Sequence, residues 1–363
     1  MTFNSDLLQF MRERRGFTKT FLARKAGVSV RALQQYENEG IEPRDDILTK
    51  LSETLSIDPS FFYGESFERA GKGAVSFRAA TRLPVKDRKT AESFVSYAIA
   101  LRKYMAEKFE LPKVSIPILD GVAPEVAADT VRSHWGLGNQ PAPNMIHLLE
   151  SKGIFVVAVP EETKHLDAFS FWHEGNPIVC ISQAKTAERS RLDLGHELGH
   201  LVLHKGLENV AKDEEDQAQL FGASFLLPRE AVISMGMRSP SIESVLATKK
   251  KWSVSAILFV KRLFDVHLMN DWHYRSLMIE LTRRGYRNGE PGGIQREKSQ
   301  LLEKVMKALR NDGIKMKELA SYLHVPEDDL QQMLYGLIFM AVDSTDASNF
   351  AELQSDERIE FLT

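Results

Sequence analysis

Three histidines at four-residue intervals, His196, His200 and His204, lie in a run from Ala187 to His204 that contains no proline. On an α-helix positions i and i+4 share a face, so His196 and His200 can aim both imidazoles at one point. Such a helix cannot stand alone on a surface. Leu194, Leu198, Leu201 and Val202 give it an apolar side that has to be covered. Glu197 stands directly after the first histidine, close enough to act on a bound water rather than to bind beside the imidazoles. Two nitrogen ligands and an adjacent carboxylate base form the HExxH arrangement, in which zinc lowers the pKa of a water to about 7. A catalytic zinc site also needs a third protein ligand and an open fourth position.

That third ligand is expected on the next helix. Glu214 to Pro228 reads as a second amphipathic helix ended by proline. Ala218 and Gly222 are small residues spaced i, i+4, which would let it approach the first helix closely. Glu215, three residues before Ala218, is the expected ligand, with Glu214 and Asp216 as alternatives. His204 continues the histidine face by one turn and is read as support or packing rather than as a ligand. A purely structural zinc would have no use for Glu197, which favours chemistry. No residue of the sequence identifies itself as an oxyanion stabiliser; His165, His173 and Tyr274 are unranked candidates.

Composition narrows the class. The chain of 363 residues is long enough for two or three domains at about 150 residues each. Lys and Arg number 47 against 50 Asp and Glu, a net charge of −3, which excludes a uniformly polybasic binder but not a local basic patch. The single cysteine, Cys180, rules out a disulfide framework and a Cys-rich zinc site, and fits a reducing compartment. No apolar run approaches the roughly 18 residues that would cross a bilayer. The N-terminus has no apolar stretch behind its charges, so no signal peptide is expected. These features predict a soluble cytoplasmic protein with no membrane partner.

The pattern divides the chain into a helical head (1–64), a linker (65–87), a mixed middle block (88–290) and a helical C-terminal region (291–363) used for packing or dimerisation. In the middle block the spacing predicts helices over 89–109 and 124–135. Strands are expected at 153–159, 168–172 and 178–181, where β-branched and aromatic residues concentrate. Glu174-Gly175-Asn176-Pro177 is a turn that would join the last two in a hairpin. The fold class is therefore α+β and mostly helical. Residues 316–333 are faintly helix–turn–helix-like but lack a basic cluster, no long internal repeat is evident, and the polar last twenty or so residues are expected to fray.

In the head, Leu22, Ala23, Val28 and Leu33 supply helix–turn–helix contacts, with Gly27 in the turn and Ser29 capping the second helix. Residues 12–31 hold seven Lys or Arg against one acid, while acids crowd residues 37–58. A basic face beside an acidic one suits phosphate contact on one side only.

The run Ala187–His204, followed by Glu215–Pro228, resembles the ImmA/IrrE family of metallopeptidases over roughly residues 88–287. The resemblance implies a zincin-like fold, zinc bound by His196, His200 and Glu215, and Glu197 as the catalytic base. It also implies that Pro177–Ser182 is the edge strand along which substrate lies. Gly195 and Gly222 stand where alanine is common, departures expected to loosen the two helices. The head, including Tyr36-Glu37-Asn38, resembles Cro/repressor-type helix–turn–helix domains of the xenobiotic-response-element (XRE) class. That resemblance places Arg31, Gln34 and Gln35 toward the major groove, and the expected DNA-contacting set is Lys19, Ser29, Arg31, Gln34 and Gln35. A lone recognition helix binds weakly, so a homodimer is expected.

Together these imply a DNA-binding regulator carrying a Zn2+ endopeptidase. Its substrate would be a repressor, another partner protein or its own Gly71–Pro84 stretch, and cleavage would relieve repression after stress. The alternatives are a non-proteolytic transcription factor that senses a metabolite or zinc, and an antitoxin-like binding partner.

Overall fold

The computed structural model describes residues 2–69, 85–159, 167–206 and 212–338. The Gly71–Pro84 stretch, His165 and the polar C-terminal residues fall outside the described residues.

The head is built from α1 (Ser5–Arg14), α2 (Lys19–Ala26), α3 (Val30–Asn38) and α4 (Asp45–Leu55), closed by a 3-10 turn at Pro59–Tyr63. Each of the first three helices starts at a side-chain cap. The side-chain oxygens of Asn4, Thr18 and Ser29 accept from the backbone N–H of Asp6, Phe21 and Ala32, satisfying donors that a helix N-terminus leaves open. Gly27 ends α2 at φ 72°, a left-handed position that glycine reaches without strain. Leu7, Leu8, Leu22, Leu33 and Leu51 are fully buried between the helices.

The middle of the chain opens with the long α5 (Val85–Lys108), which packs along α1. Thr90 Oγ1 donates to the Glu13 carbonyl (3.2 Å) and the Tyr97 hydroxyl to Met11 Sδ (3.1 Å). Then come α6 (Pro124–His134), α7 (Met145–Ser151), β1 (Phe155–Ala158), β2 (Ala168–His173), β3 (Asn176–Ile181), α8 (Ala187–Leu203) and α9 (Lys212–Leu226). Four further helices follow: α10 (Arg229–Ser234), α11 (Ile242–Trp252), α12 (Ala256–Asp265) and α13 (Asp271–Arg283). The C-terminal region is α14 (Gln300–Asn311), α15 (Met316–Leu323) and α16 (Glu327–Leu334). The protein is a mostly helical α+β chain, with one small sheet among the described residues, as the sequence pattern predicts. Among the described residues no helix is long and apolar enough to cross a membrane.

The sheet order is β1-β3-β2. The hairpin forms as expected, β2 antiparallel to β3 with Ala168 opposite Ile181 and His173 opposite Asn176. Glu174 and Gly175 both take positive φ, as a tight two-residue hairpin turn requires. Strand β1 then adds on the other side of β3, in parallel, pairing Phe155 with Ile178 and Ala158 with Ile181. This corrects one expectation. Pro177–Ser182 is not an edge strand, because β1 occupies its second side; the outer strands are β1 and β2. Ile178, Val179 and Cys180 are accordingly fully buried.

α7 is tied to the C-terminal region by a buried carboxylate. Glu150, 4% exposed, accepts from the Ser299 hydroxyl and from the Leu301 N–H (3.1 Å) at the start of α14. Burial pushes its carboxyl up to about 7, against the hydrogen bonds from Ser299, Leu301 and Gln300 and the field of Lys304, which favour the anion. The folded pKa lies above the ordinary glutamate value of about 4.3, so the native state holds a proton that the unfolded chain has released. The stabilisation is complete below that ordinary value and is lost as pH rises through about 7. The unfolding free energy should therefore fall from about pH 5 to 7, by at most about 1.4 kcal/mol per pH unit. Glu150→Gln, neutral throughout, should lack that slope; an identical slope in the variant would assign it to other groups.

Candidate active site and nucleic-acid interface

α8 lies against the sheet and α9 lies against α8. The two helices meet through residues with almost no side chain. A Cβ added at Gly222 would sit 2.8 Å from the His196 backbone nitrogen and 2.9 Å from the Gly195 carbonyl carbon. One added at Gly199 would lie 3.1 Å from the Ala218 Cα, and one at Gly195 3.2 Å from the Gly222 Cα. Gly195 and Gly222 therefore permit near-contact of the backbones. They do not loosen the helices, which corrects the expectation drawn from their departure from alanine. Ala218, fully buried, plays the part its spacing suggests.

This close approach carries Glu215 to the histidines. His196 and His200 face each other through their Nε2 atoms at 3.0 Å, and the Glu215 carboxylate oxygens lie 3.6 Å from His196 Nε2 and 3.5 Å from His200 Nε2. Of the three acids weighed on α9, Glu215 is the one gathered with the two imidazoles; Asp216 is exposed and Glu214 stands outside the group. Three donors around one zinc ion at 2.0–2.1 Å are separated by about 3.3 Å in tetrahedral geometry, which the observed triangle approximates. Both imidazoles are largely shielded from water, and burial, then the neighbouring His200, pull His196 down to about 4. A neutral imidazole is the form that can donate a lone pair to a metal.

Glu197 is buried under the site. Desolvation raises its carboxyl to about 7, partly opposed by His200 and by a hydrogen bond from Ser170. Ser170 is on β2, between Phe169 and Phe171 on the opposite face, and its hydroxyl also donates to the Glu197 carbonyl (3.3 Å). This small polar residue lets α8 settle onto the sheet, and neither Ser170 nor its pairing was legible without the strand register.

His204 takes up the other nitrogen of His200. The two Nδ1 atoms are 3.0 Å apart, and His204 Nε2 lies 3.2 Å from Gln217 Oε1. One proton arrangement satisfies the whole chain: His200 donates from Nδ1 to His204 Nδ1, and His204 donates from Nε2 to Gln217. It leaves His200 Nε2 as a bare lone pair facing His196 and Glu215. His204 thus supports a site residue, as expected, and Gln217 is the partner the sequence reading missed. Of the oxyanion candidates, His173 is engaged by Glu68 at 3.0 Å and Tyr274 stacks on Phe264.

In the head, the outward side of α3 carries the expected contact residues. Arg31 and Gln34 are exposed and Gln35 half-buried, while Ser29 is spent as the α3 cap. Much of the basic cluster has other work. Arg12 makes a two-pronged contact with Glu37 (2.5 and 3.0 Å), and Lys19 reaches the same carboxylate at 3.3 Å. Arg14 and Arg15 turn inward to Asp329. The cations left on the exposed side are Arg24, Lys25 and Arg31. The patch is therefore smaller than the seven-to-one count of residues 12–31 suggests.

The geometry defines a head of helix–turn–helix form joined to a domain whose HExxH helix is completed by a glutamate from the next. Comparison with known families agrees. Residues 8–62 match the helix–turn–helix family model, and residues 149–264 match the model of the IrrE N-terminal-like domain, a metallopeptidase-type family. The chain thus carries an N-terminal XRE-type helix–turn–helix domain fused to an ImmA/IrrE domain over these segments. No curated protein matches the chain.

The helix contact yields a test with a definite sign. Gly222→Ala should lower stability by about 1–3 kcal/mol in urea denaturation, through overpacking against His196. The gain in helix propensity, about 1 kcal/mol, acts in the opposite direction. A more stable variant would show that the helices have room to spare.

Proposed function

We propose that this protein is a DNA-binding regulator whose ImmA/IrrE domain is a zinc-dependent endopeptidase acting on a repressor or other partner protein. The observation that carries this reading is the convergence of His196 Nε2, His200 Nε2 and the Glu215 carboxylate, 3.0–3.6 Å apart, beside the buried Glu197. His196, His200 and Glu215 are the residues that would hold zinc. Zinc bound there would polarise a scissile carbonyl and lower the pKa of a water.

The chain's own groups supply the rest. Glu197, raised toward neutrality by burial, is suited both to accept a proton from the attacking water and to return it to the leaving amine. His204 and Gln217 hold His200 in the tautomer that keeps Nε2 free, as outer-shell partners of ligating histidines do. The close helix contact holds Glu215 beside the two histidines.

On the DNA side, the proposed reader is α3, with Arg31 and Gln34 reaching base edges and Gln35 beside them. Lys19 and Ser29 would lie nearer the DNA backbone. Arg24 and Lys25 would supply phosphate contact. So few cations imply modest affinity for a single head, which favours a homodimer on paired half-sites. The cytoplasm is the compartment that suits a DNA reader with one buried thiol, Cys180.

Two measurements test the reading. Metal analysis should find one zinc per chain in wild type and none in the His196→Ala, His200→Ala double variant. Glu197→Gln should keep the zinc and lose cleavage of a co-incubated repressor, or of the chain itself. Wild-type protein without zinc would sink the peptidase assignment. For the head, Arg31→Ala should weaken operator binding by about 1–3 kcal/mol and relax base preference at one position. Unchanged affinity and preference would remove α3 as the reading element.

A further inference from the structure

The C-terminal region repeats the head. In both units a helix ends at a glycine of positive φ, Gly16 (62°) and Gly313 (78°). An eight-residue helix follows, α2 in the first and α15 in the second. That helix ends at a left-handed residue, Gly27 (72°) or His324 (58°), and the next helix begins three residues later in each. The same backbone bonds recur, Phe17 N–H to Arg12 O with Ile314 N–H to Leu309 O, and Val28 N–H to Ala23 O with Val325 N–H to Ala320 O.

Side chains agree at the positions that make the core. Leu22, Ala23 and Leu33 correspond to Leu319, Ala320 and Leu330, all buried, and Gln34-Gln35 corresponds to Gln331-Gln332. Every one of these pairs is separated by the same number of residues. The turn between α11 and α12, at Ser253-Val254-Ser255, shares the left-handed residue and the valine. It lacks the preceding glycine at the matching distance, so it is not a third copy.

The two units differ where DNA would be touched. Val30, Arg31 and Ala32 at the start of α3 are replaced by Glu327, Asp328 and Asp329 at the start of α16, and Lys19 by Met316. Carboxylates at the reading positions repel phosphate. α16 instead meets the first unit. Asp329 accepts from Arg14 Nη2 (2.6 Å) and Arg15 Nη1 (3.0 Å), with Arg14 and Asp329 both at 0% exposure. Arg14 reaches Gln332 as well (3.3 Å), and the His324 ring stacks on Phe61 at 5.5 Å. Gly64 leaves room for that ring, since a Cβ there would fall 1.7 Å from His324 Nε2. α16 also packs on β1.

We propose that residues 300–334 are a second helix–turn–helix unit whose reading helix binds the first unit's α1 instead of DNA, clamping the head in one orientation against the peptidase-type domain. The clamp leaves the head's own reader open, because Arg31 and Gln34 stay exposed while Arg14 and Arg15 are engaged. It therefore fixes the head without blocking it.

Hydrogen exchange on the full chain tests the clamp. Asp329→Lys should speed amide exchange in α1 by about tenfold or more while exchange in α8 and α9 stays at the wild-type rate. Unchanged exchange in α1 overturns the proposal. So does a rise in α8 and α9 that matches α1, which would make Asp329 an ordinary core group. If the lysine variant does not fold, His324→Gly keeps the left-handed backbone and removes only the ring on Phe61. It should speed α1 exchange several-fold, and no change again overturns the clamp. The loss of DNA reading is tested separately with a short fluorescent duplex of mixed sequence. In a chain carrying Arg31→Ala and Gln34→Ala, adding Lys315→Ala and Lys317→Ala should leave residual binding unaltered. Binding that drops with those lysines would make the second unit a DNA reader.

Discussion

The near-contact of α8 and α9 is the constraint on which the site depends. Gly195, Gly199, Ala218 and Gly222 leave the two backbones with almost nothing between them. Only at that separation does the Glu215 carboxylate come within 3.6 Å of both histidine nitrogens. Glycine inside a helix costs about 1 kcal/mol relative to alanine, so this interface gives up helix propensity for proximity. The loss is offset by tight packing on both sides, with Phe221 and Phe225 of α9 fully buried and α8 seated on the sheet over Ser170. His196, His200 and Glu215 are therefore held by helices and not by loops, the more precise way to position a constellation of side chains.

Much of this was legible in the sequence because it is local. The four-residue histidine spacing fixes a face, Ala218 and Gly222 mark the contact, and Glu174-Gly175 marks the hairpin. Helical spacing favoured Glu215 but left Glu214 and Asp216 open; the contact of α8 with α9 is what gathers Glu215 with the histidines. What was not legible is non-local. Whether β3 is central or outer depends on β1, a strand from an earlier segment whose parallel pairing leaves no turn signature. The C-terminal unit showed only faintly, over residues 316–333, for a different reason. Its left-handed residue is His324 instead of glycine and its cap position is Pro326 instead of serine, so the usual punctuation is missing although the backbone repeats.

Charge in the head teaches the same lesson. A count over residues 12–31 treats every cation as available to phosphate. The structure divides them by function. Arg12 and Lys19 neutralise Glu37 within the head, Arg14 and Arg15 join the head to α16, and Arg24, Lys25 and Arg31 remain on the outer side. Glu37, 3% exposed, is the residue that makes the first of these possible. A buried acid on α3 thus consumes positive charge that a sequence tally would assign to DNA.

A buried ion pair is a weak source of net stability, because desolvating both partners cancels most of their attraction, whereas a mismatched partner is heavily penalised. That asymmetry suits a joint whose task is orientation. Arg14 and Asp329 accept one docking geometry and disfavour its neighbours, whereas an apolar face of the same area would tolerate sliding. The same α16 that receives Arg14 rests on β1, β1 pairs with β3, and β3 with β2 carries α8. The head is in this way referred to the sheet on which the histidine helix sits, through packed elements with no linker in the path. In a dimer on DNA, the spacing of two heads would then fix the placement of two ImmA/IrrE domains, and half-site geometry would become a constraint on where their sites face.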